Sequence, residues 1–322
     1  MQLALRFTLL VALWLVTSPA PAAELDLDAV AVKVGDEAIS VRAVEHELAH
    51  ALPRLPSDPA AQAKLRAAAL DAVVQRRLAL QQLTLQQQAA TSADVALASE
   101  HLQQELQARG ENSNDFLNKH HLNEDEYKDE LRWRLSWEAY LKEQLTDKNL
   151  ARYFDRHRRE FDGTKVRVAH LLLKAPPDDD ADAWRALDQQ AREIRAQLAE
   201  LTFAEAVRKF SQAPTADAGG DLGFIERRRP MPEAFSVAAF ALEVGEVSPP
   251  VRTAFGVHLI RCEEVLPGSR SWTDARGELR DAVSSYLLTW LAHRRAETAV
   301  IETTGAYPHR DPVSGEIVPA TE

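Results

Sequence analysis

The sequence predicts an α+β chain in two unequal parts, a mostly helical body followed by a unit of mixed helices and strands. Three observations carry this. Residues 24–161 repeat apolar positions at helical spacing, with glutamine-rich and charged residues between them. From Gly163 onward, β-branched and apolar runs appear between Gly, Pro and Asp punctuation. A chain of 322 residues, 45% of them hydrophobic, is also long enough to bury two cores.

The first residues stand apart. Arg6 precedes the apolar run Phe7–Val16, and the small residues Ala20-Pro21-Ala22-Ala23 follow at signal-peptidase spacing. Residues 1–23 therefore read as a secretory signal. The run is shorter than the roughly twenty apolar residues that a membrane span needs. Cys262 is the only cysteine, which leaves no disulfide framework and no lipid-modified cysteine at the mature N-terminus. The net charge of −11 comes without a dense basic patch, which argues against nucleic acid and anionic membrane surfaces as partners. The expectation is an exported, periplasmic protein with no stable membrane insertion after signal cleavage.

After the signal, alternating Ala29 and Ala31 with a Gly35-Asp36 turn predict a short strand, and Ser40 caps a helix to about Leu52. Pro53, Pro56 and Pro59 interrupt the chain. Helices are then predicted over 60–88, 92–109 (stopped by Gly110), 114–120, 124–145 and 147–161. In the second unit, "KVRVAHLLLKA" and "GVHLIRCEEVL" read as strands, with a short strand in "GEVSPPVRT". "WRALDQQAREIRAQLAE", "FAEAVRKFS" and "PEAFSVAAFAL" read as helices. A last long helix, Trp272–Arg295, precedes a short strand at Ala299–Ile301, which is expected to pair with Ala29–Val34. The Pro-, Gly- and polar-rich tail 305–322 is expected to be disordered.

One motif invites a metal. His46-Glu47-Leu48-Ala49-His50 matches H-E-x-x-H, in which two imidazoles one helical turn apart ligate zinc and the glutamate serves as base. A third ligand is missing: Pro53 and Pro56 occupy the places of the extended motif's glycine and histidine, and no glutamate occurs between Glu47 and Glu100. The expectation is a solvated helix face with both histidines exposed, and no metal site.

The second unit carries a resemblance. "VAHLLLK", "FSQAPTADAGGDLGF", "MPEAFSVAAFAL", "VGEVSPPV" and "TAFGVHLIRCEE" resemble, in order and spacing, the successive signatures of the parvulin family of peptidyl-prolyl cis/trans isomerases. The helical parts around it are similar, more loosely, to the exported chaperones of the SurA and PrsA type. The resemblance implies a parvulin-like domain over 164–267, a small antiparallel sheet surrounded by helices, attached to a mostly helical chaperone-like N-terminal domain over 24–161. Residues 268–304 would then be a C-terminal helix and strand packing back on that body. It also implies that His170 and His258 share a site under a substrate groove, with their tautomers set by neighbours such as Thr253. Leu222, Met231 and Phe235 match the pocket-lining positions, and Phe240 reads as ordinary core.

The implied reaction is rotation about X–Pro bonds, which breaks no covalent bond and needs neither nucleophile nor cofactor. The implied partners are unfolded or partly folded exported polypeptides. In the family, Gly-Gly-Asp-Leu-Gly turns sharply beside the groove, where glycine permits positive φ and close backbone approach. Ala213 falls where most of the family carries cysteine or aspartate, so a weakened isomerase is expected, with Thr215 compensating in part. The acidic loop Pro176–Asp182 would repel a phosphate, which argues against phosphopeptide specificity. Arg227, Arg228 and Arg229 read as a solvated turn, and Cys262 as a small buried apolar residue. The alternative reading is a non-catalytic polypeptide-binding module, which Ala213 favours.

Overall fold

The computed structural model describes residues 25–52, 54–176, 180–228 and 231–321. The signal-like segment 1–23, the centre of the acidic loop at 177–179, and Arg229 lie outside the described residues.

The body opens with a hairpin, β1 (Val30–Val34) and β2 (Glu37–Ser40). Ser40 accepts from the Ala43 N–H and starts α1 (Val41–Ala51). Asp58 caps α2 (Pro59–Leu85), where Pro59 sits in the first turn and has no N–H to leave unpaired. Reciprocal capping boxes, Thr91 with Asp94 and Asn123 with Glu126, start α3 (Ser92–Arg109) and α5 (Glu124–Gln144). Between them lies the short α4 (Ser113–Lys119). The segment expected as one helix over 147–161 divides at His157 into α6 (Asp147–Arg156) and α7 (Arg158–Phe161).

The second unit is a four-stranded antiparallel sheet in the order β4-β3-β6-β5. Its strands are β3 (Lys165–Lys174), β4 (Asp221–Glu226), β5 (Val251–Thr253) and β6 (Gly256–Leu266). The helices α8 (Ala181–Gln197) and α9 (Phe203–Phe210) cover one face, and α10 (Glu233–Ala241) covers the other. Strand β3 is central and buried on both sides. Its odd positions Ala169, Leu171 and Leu173 pack with Trp184, Ile194 and Phe203 under α8 and α9. Its even positions Val166 and Val168 pack with Phe235, Ala239 and Ile260 under α10. The two-residue period of a strand thus assigns every β3 side chain to a face.

The chain then returns to the body through α11 (Arg276–Ala296), which lies along α2. The strand β7 (Ile301–Thr303) forms two residues later than the 299–301 expected. It adds to β1 antiparallel, with Val34 opposite Ile301 and Val32 opposite Thr303. The order β2-β1-β7 therefore closes the body with strands from both ends of the chain.

The tail does not follow its composition. Tyr307 is completely buried among Val32, Val41, Val44 and Leu70, and its hydroxyl donates to Glu45 Oε1 at 2.6 Å. Glu45 is also paired with Arg66 at 2.9 Å. Beyond it, β8 (His309–Arg310) and β9 (Ile317–Val318) form a hairpin against α2. The Asp311 carboxylate closes this hairpin by accepting from the Val313 and Ser314 N–H groups. The disorder expected of 305–322 is thus corrected. A polar, Pro-rich stretch folds here because one aromatic supplies an apolar anchor and the body supplies its socket. Tyr307→Ala should lower the unfolding free energy by about 3–5 kcal/mol, as for other buried aromatics. Urea unfolding checks this, and a loss below about 1 kcal/mol would show that the socket is not part of the core.

Candidate active site

The antiparallel register of β3 and β6 sets the site. His170 lies opposite Ile260 and Leu172 lies opposite His258, so the two histidines are diagonal neighbours on adjacent strands. Both hold even positions and therefore face α10. Their ring centroids are 5.4 Å apart with planes 20° from parallel, and the Nδ1 atoms are 3.2 Å apart. One Nδ1 carries the proton and donates, and the other accepts.

Threonines close both ends of this pair. Thr253 Oγ1 lies 2.8 Å from His258 Nε2, and Thr215 Oγ1 lies 3.3 Å from His170 Nε2. The chain Thr215–His170–His258–Thr253 can run its protons in either direction, and in each direction every ring nitrogen has a partner. Thr253 is fixed in turn by the Phe255 N–H, which donates to its oxygen at 3.1 Å. Phe235, from α10, sets its ring edge-on to both imidazoles, with centroids 5.3 Å from His258 and 5.9 Å from His170. Phe235 is buried, and Leu222 and Met231 pack half-buried against the same cluster. All seven residues singled out in the sequence lie in the second unit, on β3, β4, β5, β6, α10 and the connections before β4 and α10. The polar four form one hydrogen-bonded chain, and the apolar three line the α10 side.

Burial dictates the protonation state. It pushes His170 below the usual imidazole range, and burial together with the neighbouring His170 lowers His258 to about 4. At neutral pH the pair is uncharged, so it acts through hydrogen bonds and dipoles and not as a cation.

The glycine-rich turn has a steric cause. At Gly220, φ is +80°, and a Cβ there would fall 2.2 Å from the His170 carbonyl oxygen. The Gly220 carbonyl meanwhile accepts from the His170 N–H at 2.9 Å. Only glycine lets this loop lie against the backbone that carries His170. Asp221 then accepts from the Gly223 N–H at 2.9 Å and from Arg167 at 2.7 Å. The Arg167 guanidinium is the main reason its carboxyl sits below the usual carboxylate range.

Ala213 is buried and offers no polar atom beyond its backbone, whose N–H donates to Ser211 Oγ at 3.2 Å. The hydroxyl that does reach His170 is Thr215, two residues further on.

Two expectations elsewhere are corrected. His46 is not on a solvated face: it is buried, and its Nδ1 donates to the His120 carbonyl at 2.6 Å. His50 sets its ring edge-on to His46 at 4.5 Å, and Glu47 is paired with Arg76. Burial and the neighbouring His46 and His50 lower the pKa of His120. The HELAH segment thus joins α1 to the end of α4. Among the described residues, no three His, Cys, Asp or Glu side chains are arranged to hold a metal ion. Nor is Arg227 solvated, since its side chain is 10% exposed between the carboxylates of Glu160 and Glu233. These acids lie 67 residues before Arg227 and 6 after it, outside any local charge pattern that a sequence displays.

Residues 170–264 match the rotamase family described as the PPIC-type PPIASE domain. Over 107 residues the chain is 36% identical to "Peptidyl-prolyl cis-trans isomerase pin1" of Rhizopus delemar, a match covering 30% of this chain and 71% of that protein. It is 32% identical over 145 residues to "Foldase protein PrsA" of Caldanaerobacter subterraneus, covering 45% of this chain and 41% of the relative. It is 35% identical over 137 residues to "Chaperone SurA" of Ralstonia nicotianae, covering 41% of this chain and 27% of the relative. The chain belongs to the PPIC-type peptidyl-prolyl isomerase family, also called parvulins. It spans less than half the length of the two chaperone relatives. No helix among the described residues is long and apolar enough to cross a membrane.

The buried imidazoles make stability depend on pH. His258 ionises near 6.5 when exposed and near about 4 when folded, so between these values the unfolded chain binds more protons. Its contribution is fully present above pH 6.5 and is lost as pH falls toward 4, about 3 kcal/mol in all. The lowered His170 adds in the same direction. Imidazole NMR titration should show His258 flat through neutrality, and an inflection near pH 6.5 would contradict a neutral, buried pair.

Proposed function

We propose that the protein is a peptidyl-prolyl cis/trans isomerase and folding chaperone for exported polypeptides. The observation that carries the enzymatic half is the neutral His170–His258 pair, closed by Thr215 and Thr253 and faced by Phe235. The chaperone and export halves draw on the relatives named for those roles and on the signal-like residues 1–23.

An X–Pro bond rotates over a barrier of about 18–20 kcal/mol, because resonance stiffens the C–N bond. At the top of that barrier the amide is twisted and its nitrogen is pyramidal and basic. Leu222, Met231 and Phe235 grip the proline ring and strip water from it. The hydrogen-bonded chain beneath is preorganised to favour the twisted amide over the planar one, which is differential binding of the transition state. The acid-lined start of α8 and the absence of a basic cluster in "PPDDDAD" disfavour phosphorylated substrates.

The second reading is a non-catalytic polypeptide binder, which Ala213 favours because its side chain adds no polar atom to the network. A protease-coupled prolyl assay on the full chain separates the two. Isomerase activity is expected to fall by about tenfold or more in His170→Ala and in His258→Ala, in line with losing one preorganised partner. If wild type and both variants give the same slow rate, the binder reading stands. Ala213→Asp should raise the catalytic rate, and no rise would show that the position does not tune the pair.

A further inference from the structure

We propose that Arg227 is a positioning residue that ties the geometry of the proline pocket to the helical body through Glu160. The inference rests on the isomerase reading above and adds a means by which the body acts on the site.

Arg227 lies on the connection between β4 and α10, with its side chain 10% exposed. Its guanidinium grips Glu233 with two bonds, Nη2 to Oε1 at 2.7 Å and Nη1 to Oε2 at 2.9 Å. Its Nε donates to Glu160 Oε2 at 3.1 Å. These two acids belong to different parts of the molecule. Glu233 is the first residue of α10, and two residues later Phe235 meets both imidazoles. Glu160 lies on α7 beside Phe161, which is buried with Leu150, Phe154, Leu279 and Val283 of α6 and α11. The other oxygen of Glu160 is held by His157 Nδ1 at 3.0 Å.

A second tie runs parallel to the first. Arg228 Nε lies 3.6 Å from Glu278 of α11, and its guanidinium sits 5.0 Å over the Phe161 ring. The segment leading from β4 to Met231 and α10 is therefore pinned at its start to the body.

The planar guanidinium is suited to this role because it fixes two carboxylates in one relative orientation, which an ammonium does not. With Glu160 neutralised, Arg227 keeps Glu233, but the start of α10 loses its reference to the body. The pocket walls Met231 and Phe235 then shift relative to imidazoles that stay fixed in the sheet. The loss should therefore appear mainly in KM.

The test uses the full chain in the prolyl assay, with wild type measured alongside. Glu160→Gln and Arg227→Gln should each lower kcat/KM by about three- to tenfold, a fraction of what a 1 Å misplacement can cost. Arg227→Lys should stay low, and the double variant should be no worse than Arg227→Gln alone, because the two residues act through one contact. Arg276→Gln removes an ion pair to Asp147 between α11 and α6, away from the pocket. It should keep wild-type kinetics.

In Glu160→Gln, the NMR shifts of the His170 and His258 ring protons should also move, since the Phe235 edge sits against them. Glu160 is a third exposed, so this variant keeps the test open if Arg227→Gln fails to fold. An inactive wild type would sink the isomerase reading itself. An active wild type with unchanged kcat/KM and unmoved ring protons in Glu160→Gln would overturn the tie to the body, as would additive losses in the double variant.

Discussion

The site depends on a hydrogen bond between two uncharged imidazoles inside a sheet. It exists because β3 and β6 run antiparallel in a register that places His170 and His258 diagonally on one face. A slip of one residue would send one ring to the α8 and α9 side and break the pair. Burial keeps both rings neutral, so a single proton between the Nδ1 atoms orders the whole chain from Thr215 to Thr253. A buried polar network is stable only when each member is satisfied. The two hydroxyls meet that condition without introducing a charge.

Around this pair, the domain is arranged so that backbone does what side chains cannot. Gly220 lets the loop lie on the His170 peptide, and the same loop delivers Thr215 to His170 and Leu222 to the α10 side. Asp221 and Arg167 hold the loop at its exit. Phe235 completes the arrangement from above, on a helix whose first residue is tied through Arg227 to the end of the body.

The residues readable from sequence were those whose placement follows from short-range rules. The pairing of His170 with His258 is what the parvulin resemblance implies, and the glycine run marks a tight turn whatever lies beside it. The helix start at Ser40 is legible because caps are local. The contacts that escaped depend on partners distant in sequence. Tyr307 looks like any tail tyrosine until β1, α1 and α2 assemble a socket for it. His46 looks solvated until α4 brings a carbonyl to its ring. Arg227 looks like part of a surface run until α7 supplies an acid from the other part of the molecule. Strand β7 falls two residues beyond the more apolar Ala299–Ile301 because register with β1 selects Ile301–Thr303.

The pairing of β1 with β7 has a temporal consequence. A chain emerges from synthesis N-terminus first, so the central sheet has all four of its strands before α11, β7 and Tyr307 exist. The sheet unit is an insertion that can finish early, whereas the body enclosing it must wait for α11, β7 and Tyr307. Until then α2 lacks its α11 neighbour, and the Tyr307 socket stands open. The newborn molecule therefore passes through a stage with uncovered apolar surface on α2 and around the Tyr307 socket.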